Sequence, residues 1–160
     1  MKLITISGPR GTGIDEILKR VREAFPGTLH VVERNGYPIE VVEDGLIACP
    51  RAIIEATPGE VQKLHLFAGK KDAMFRIFVS AEREMRAQRL RAAFHGHDPR
   101  VASAMLHAAL ENDPTPLHPY HLRQPIFDLI AQSNGEIEGV SSRVIRAVGR
   151  FLRIYPVVLP

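Results

Sequence analysis

The sequence predicts a three-layer α/β/α domain built around a mostly parallel sheet, and three observations carry that expectation. Short runs rich in β-branched residues alternate with longer segments whose apolar residues fall at helical spacing. Gly/Pro clusters separate many of these runs. The 160 residues are enough for one real core and too few for two ordinary domains. Strands that alternate with helices form a parallel sheet whose faces the helices cover, so a single domain over 1–160 with no linker is expected.

Each element follows from local pattern. Lys2 to Ser7 alternate loosely and read as a first strand. The cluster Gly8 to Gly13 follows. Ile14, Ile17, Leu18, Val21 and Phe25 then mark an amphipathic helix that Pro26-Gly27 ends. Leu29 to Val32 reads as a second strand. Ile39 to Val42 and Leu46 to Cys49 flank Glu43-Asp44-Gly45 in the manner of a hairpin. Ala52 to Ala56 fits strand or helix, so either Leu46 to Cys49 or Ala52 to Ala56 supplies the third strand. Glu60 to Ala68 reads as helix, Met74 to Val79 as the clearest inner strand, Glu82 to Phe94 as an arginine-rich helix and Arg100 to Glu111 as another helix. Asn112 to Pro125 holds four prolines and reads as loop. Ile126 to Ala131 reads as the last core strand and Glu136 to Leu152 as a C-terminal helix. The tail from Arg153 to Pro160 reads as a terminal strand or a docked extension.

Composition narrows the function classes. Apolar residues make up 45% and charged residues 24%, the balance of a globular chain rather than a disordered or collagen-like one. No run of about 18 apolar residues is present, so no bilayer span is expected. The first residues, MKLITIS, lack the features of a secretory signal. The single cysteine, Cys49, permits no internal disulfide and reads as a small apolar residue. Together these imply a cytoplasmic protein without a membrane partner. The net charge of +3 admits anionic ligands but argues weakly for nucleic acid, and an aromatic content of 6% without tryptophan argues against stacking platforms.

The informative stretch is Gly8-Pro9-Arg10-Gly11-Thr12-Gly13-Ile14-Asp15, which follows a strand and opens a helix. Against the phosphate-loop pattern G-x-x-x-x-G-K-[ST], Gly8 and Gly13 are in place, Ile14 stands at the lysine position and Asp15 at the Ser/Thr position. The glycines permit a tight turn whose N–H groups converge, and the helix start adds partial positive charge. Gly8, Gly11, Thr12, Gly13 and Asp15 are therefore candidate binding residues. Asp15 fits two roles, a helix cap or a carboxylate for Mg²⁺. Arg10 lies inside the loop as a candidate replacement cation. Losing one preorganised electrostatic contact costs roughly 3–4 kcal/mol, about a thousandfold in rate. A glycine turn that binds nothing is the plainer reading of the same residues.

At these residues the chain resembles the P-loop nucleoside-monophosphate kinases, guanylate kinases most closely, with a degenerate loop that lacks the lysine. Ser7-Gly8-Pro9 through Gly13 is similar to that family's S-G-P-S-G-x-G-K opening. Pro58-Gly59-Glu60 to Leu66, the strand Phe75 to Ser80 and Glu84 to Leu90 are similar to its helix, its I-F-I strand and its arginine-bearing lid helix. Gly96-His97-Asp98 is similar to the R-G-x-D segment of the lid, with His95 in place of the arginine. Ile126 to Asn134 resembles its Y-D-Y-V-I-x-N terminal strand. Ribose 1,5-bisphosphate kinases carry G-K-D after the glycines, which Asp15 matches. The order of elements agrees over roughly 130 positions.

The resemblance implies a P-loop NTPase-like fold, ATP and Mg²⁺ as cofactors, and phosphoryl transfer to a nucleoside monophosphate or sugar phosphate. It implies a short acceptor region at about 35–50 and a lid at about 83–112. It gives Arg89 and Arg91 a catalytic role beside Arg10, Asp15 a metal role and Asn134 a place near the base. The guanylate kinases' GMP-binding insert has no clear counterpart between Asn35 and Pro50. Glu55 is a further candidate for the acidic metal-side residue.

Other clusters have plainer readings beside sharper ones. Arg83, Arg86, Arg89 and Arg91 fit a solvated basic face as well as a lid. His95-x-His97 and His118-x-x-His121 do not match a strong zinc spacing. Arg143, Arg146, Arg150 and Arg153 run along one side of the last helix, a solvated face or a contact for an acidic partner. The alternative to a nucleotide-binding kinase is a kinase-like fold that has lost its ligand and serves as a protein-interaction module.

Overall fold

The computed structural model describes residues 1–33, 49–68, 74–111 and 127–157. Five parallel strands, β1 (Lys2–Ser7), β2 (His30–Val32), β3 (Arg51–Glu55), β4 (Met74–Ser80) and β5 (Leu129–Gln132), form one sheet in the order β2-β3-β1-β4-β5. The helices are α1 (Ile14–Ala24), α2 (Pro58–Ala68), α3 (Arg83–Ala93), α4 (Pro99–Glu111) and α5 (Ile137–Leu152). The expected hairpin of 39–49 lies outside the described residues, apart from Cys49, as does the loop of 112–125. Cys49 is partly buried against the apolar core.

β1 sits at the centre because it is apolar on both faces. Ile4 and Ile6 point to one side, where they pack with Ile17 and Val21 of α1 and Val144 and Val148 of α5. Leu3 points to the other, where it packs with Ile54, Phe78 and, from α2, Val61 and Leu64. This period of two, read against helices on both faces, gives the three layers. Ile4, Ile6, Ile17, Ile53 and Ile77 have no exposed surface, so burial of each contributes about 1.5–3 kcal/mol.

The ambiguous stretch Ala52 to Ala56 resolves as strand. Arg51 to Glu55 lie beside Lys2 to Ile6 in parallel register, between β1 and β2. Its unbroken apolar run, Ala52-Ile53-Ile54, is what a strand buried on both faces requires, and the same property removes the alternation that identifies a strand. β5 starts later than expected. Phe127 precedes it and packs at 5.1 Å on Phe78, and Asp128 spends its carboxylate on the amide and guanidinium of Arg76 at 2.8–2.9 Å. The tail is a docked extension through Val157, whose N–H donates to the carbonyl of Ala24 at 2.8 Å.

The arrangement puts the carboxyl ends of β1, β3 and β4 on one edge of the sheet. Ligands of open parallel sheets bind beyond that edge, where the strand order reverses. Here the chain leaves β1 for α1, with β3 on one side and β4 on the other.

Candidate functional site

Between Ser7 and Ile14 the chain must reverse from the central strand into α1, and three glycines let it do so. Gly11 and Gly13 adopt φ of 85° and 87°, the left-handed region that L side chains rarely occupy. Gly8 is required for another reason: a Cβ there would stand 2.4 Å from the backbone oxygen of Val79.

The loop's polar groups are divided unevenly. Every carbonyl from Pro9 to Gly13 accepts a hydrogen bond. Thr12 donates to the Pro9 oxygen from its N–H at 3.3 Å and from Oγ1 at 2.8 Å. Arg86 Nε donates to the Arg10 oxygen at 2.9 Å. Arg89 Nη1 donates to Thr12 at 3.1 Å and to Gly11 at 3.4 Å, and the Ile17 amide closes on Gly13 at 3.0 Å. The amides of Gly11, Gly13, Ile14 and Asp15 meet no acceptor among the described residues. A loop whose acceptors are satisfied and whose donors are open is a nest for an anion.

That loop borders a cavity of about 460 Å³. Arg10, Asp15 and Ile14 come from the loop side, Glu55 from the end of β3, and Arg89, Leu90, Ala93 and Phe94 from α3 and the residue after it. Arg89 stands at its back, with Nη1 also donating to Ser133 Oγ at 3.0 Å and Nη2 to the Gly135 oxygen at 2.7 Å. All four partners are neutral. Partial burial accordingly pushes its pKa below the usual guanidinium value, with no carboxylate to offset it. Arg89 therefore places an uncompensated positive charge against the loop.

The predicted residues divide. Gly8, Gly11, Thr12, Gly13, Asp15, Arg10 and Arg89 line the same cavity. Thr12 is buried and its hydroxyl is used within the loop. Ile14, at the lysine position, is 6% exposed and packs under Gly8 as part of the core. Asp15 does not cap α1, whose N-cap is Gly13 without a side-chain bond; its carboxylate lies in the first turn, exposed at the cavity rim. Asp15 and Glu55 are the two lining carboxylates. Carboxylates with phosphate oxygens and water are the ligand set Mg²⁺ accepts, so the site fits that ion. No group of three His, Cys, Asp or Glu is arranged for a metal among the described residues.

Arg91 and Asn134 are not brought to the loop. Arg91 lies two residues after Arg89, roughly 200° around the helix. It lines a separate cavity with His95, His97 and residues of α4. Asn134 pairs with Glu82: Nδ2 donates to Glu82 Oε1 at 3.0 Å and Oδ1 accepts the Glu82 amide at 2.8 Å. Sequence reasoning missed the clamp formed by Arg86 and Arg89. Their spacing on α3 also fits a solvated stripe, and their partners are 76 to 78 residues away.

No family model matches the sequence, and no curated protein does. Solved structures do match, and they define the class: this is the fold of P-loop kinases. A gluconokinase from Sinorhizobium meliloti is similar over 95% of this chain and 94% of its own, with a TM-score of 0.58 and 12% identity. A shikimate kinase from Bacteroides thetaiotaomicron is similar over 96% and 99%, with a TM-score of 0.54 and 11% identity. The SH3-kinase fragment of tight junction protein 3 covers 98% of this chain and 59% of its own, with a TM-score of 0.59 and 15% identity. At such identities the likeness defines the fold, and the group within it is a matter for the site.

Proposed function

We propose that this chain binds a nucleotide through the amides of the Gly8 to Gly13 loop and is a kinase-type protein of the guanylate or nucleoside-monophosphate group. The observation that carries the reading is the division of the loop's polar groups: carbonyls bonded, amides open, and a cavity in front of them. Arg89 supplies the positive charge that the lysine would have given, from behind the loop rather than from within it. Arg10, exposed at the loop's crest, adds a second charge at the rim. Asp15 and Glu55 are the residues that would hold Mg²⁺ beside the phosphates.

Bound ATP supplies the transferable phosphoryl group. The chain's own groups hold the donor phosphates, orient them against α1 and place Arg89 near the charge that spreads over them. The acceptor in this reading is a nucleoside monophosphate or sugar phosphate. Without a lysine, transfer is slower than in a complete loop by up to about a thousandfold. A second reading is favoured by Ile14, buried where the charge would stand: the fold persists as an interaction module without a nucleotide.

Thermal melting separates the two. Nucleotide with Mg²⁺ at a hundred times its Kd adds about 2.7 kcal/mol of stability, a rise of about 5–10 °C for a domain of this size. A melting temperature unmoved by ATP, GTP or monophosphates refutes the nucleotide reading. A coupled assay over a panel of monophosphates then tests transfer.

A further inference from the structure

We propose that the carboxyl end of α5 and the tail after it form a docking site for an acidic peptide segment of another protein, separate from the phosphate loop. Arg143, Arg146, Arg150 and Arg153 are all exposed and recur at three- and four-residue intervals along one side of the helix end. None of them pairs with a carboxylate among the described residues; Arg146 Nε donates only to the Ser142 oxygen of its own helix, at 3.3 Å. Arg20, Arg22, Arg76 and Arg83 each hold an acidic partner, whereas Arg10, Arg91 and Arg100, exposed without one among the described residues, form no such continuous stripe. A favourable interaction with the helix dipole accounts for the arginines of the last turn, not for those two turns earlier.

The stripe borders a cavity of about 370 Å³ with an apolar floor of Gly149, Ile154 and Pro156. The floor is built rather than frayed. The Ile154 amide donates to the Gly149 oxygen at 3.0 Å, and a Cβ at Gly149 would stand 2.9 Å from the Ile154 oxygen. Val157 pins the tail to α1. Arg153 closes the helix at φ 57°, where glycine is ordinarily used, and it is the one non-glycine residue with positive φ among those described. That strained backbone brings a third guanidinium to the cavity wall, beside those of Arg146 and Arg150. Tyr155, 97% exposed, stands at the rim. Arginine and tyrosine around an apolar floor are the composition of a binding hot spot, and the unpaired positive charge selects an acidic occupant with an apolar anchor. Gly149 and Ile137, the residue that touches Gly13, are about 18 Å apart along α5, so the two sites are distinct.

The test uses the full chain and a fluorescein-labelled peptide alternating Glu and Leu, read by anisotropy. Its Gln-for-Glu counterpart and a thymidine oligonucleotide serve as comparisons. The peptide is expected to bind, and R146E/R150E to weaken it at least about tenfold. Arg153→Gly is expected to keep or raise the melting temperature while lowering peptide affinity severalfold, a split that a merely capping arginine would not produce. Absence of peptide binding, equal binding of the Gln counterpart, no loss in R146E/R150E, or tighter binding of the oligonucleotide overturns the proposal. Nucleotide melting shifts do not depend on any of these outcomes.

Discussion

Two strand-to-helix junctions in this domain start from the same geometry and end with opposite properties. The loop after β1 and the residues Ser133 to Glu136 after β5 each join the carboxyl end of a parallel strand to a helix of the same layer. In the first, the carbonyls are bonded and four amides are open. In the second, the Ser133 amide donates to Ser80, its hydroxyl accepts from Arg89, Asn134 is locked to Glu82, and the Gly135 oxygen takes the other arm of Arg89. The first junction opens its amides onto the cavity it lines, and the second, outside that lining and held by side-chain bonds, is a strut. The lesson is that topology offers several places for a site, and an open cavity with a cation against the loop chooses among them.

Arg89 joins the two junctions, so its removal is the largest expected perturbation. Arg89→Met removes four hydrogen bonds at once and is expected to destabilise the fold by about 2–4 kcal/mol, read from chemical denaturation. It should also weaken nucleotide at least tenfold. Arg89→Lys tests the division further: it keeps the charge and loses the planar fork, so ligand affinity is expected to recover more than stability does. Equal recovery of both would mean that the fork matters no more than the charge.

Gly8→Ala comes next. Its methyl would meet the Val79 backbone oxygen, which cannot swing aside as a side chain can, and a loss of about 1–3 kcal/mol is expected in thermal or denaturant melts. Nucleotide binding should fall with it, because the loop must move. At the other junction, Asn134→Ala is expected to cost about 1 kcal/mol and to leave nucleotide affinity unchanged in calorimetry, since Asn134 is absent from the cavity lining. A large loss of affinity there would erase the distinction between site and strut. Ile14→Lys comes last because it is read through affinity rather than stability: it replaces a core side chain, so some loss of stability is expected with it. Placing a charge at that buried position is tolerated only if the ammonium reaches the cavity, so a gain in nucleotide affinity shows that the loop keeps its phosphate-binding shape.

Much of this was legible in the sequence. β1, the glycine loop and α1 stand out because period two, three glycines and period 3.6 follow one another without interruption, and α5 stands out by its apolar stripe. β3 was ambiguous because a strand buried on both faces has no alternation to display. The clamp was illegible for a different reason. Arg86 and Arg91 each follow a large apolar residue and precede an alanine, yet one is buried on a loop carbonyl and the other exposed beside histidines. Only the packing of α3 over the loop distinguishes them, and helical spacing within α3 does not encode it. The reciprocal pair of Asn134 with Glu82 was likewise illegible, because the two residues lie 52 positions apart.

The amides themselves give the most direct measurement. In a titration of the isotopically labelled chain with ATP and Mg²⁺, the N–H resonances of Gly11, Gly13, Ile14 and Asp15 are expected to move furthest, with those of Ser133 to Gly135 nearly still. Saturating nucleotide that leaves the four loop amides unshifted, or shifts the β5–α5 junction instead, would contradict the account.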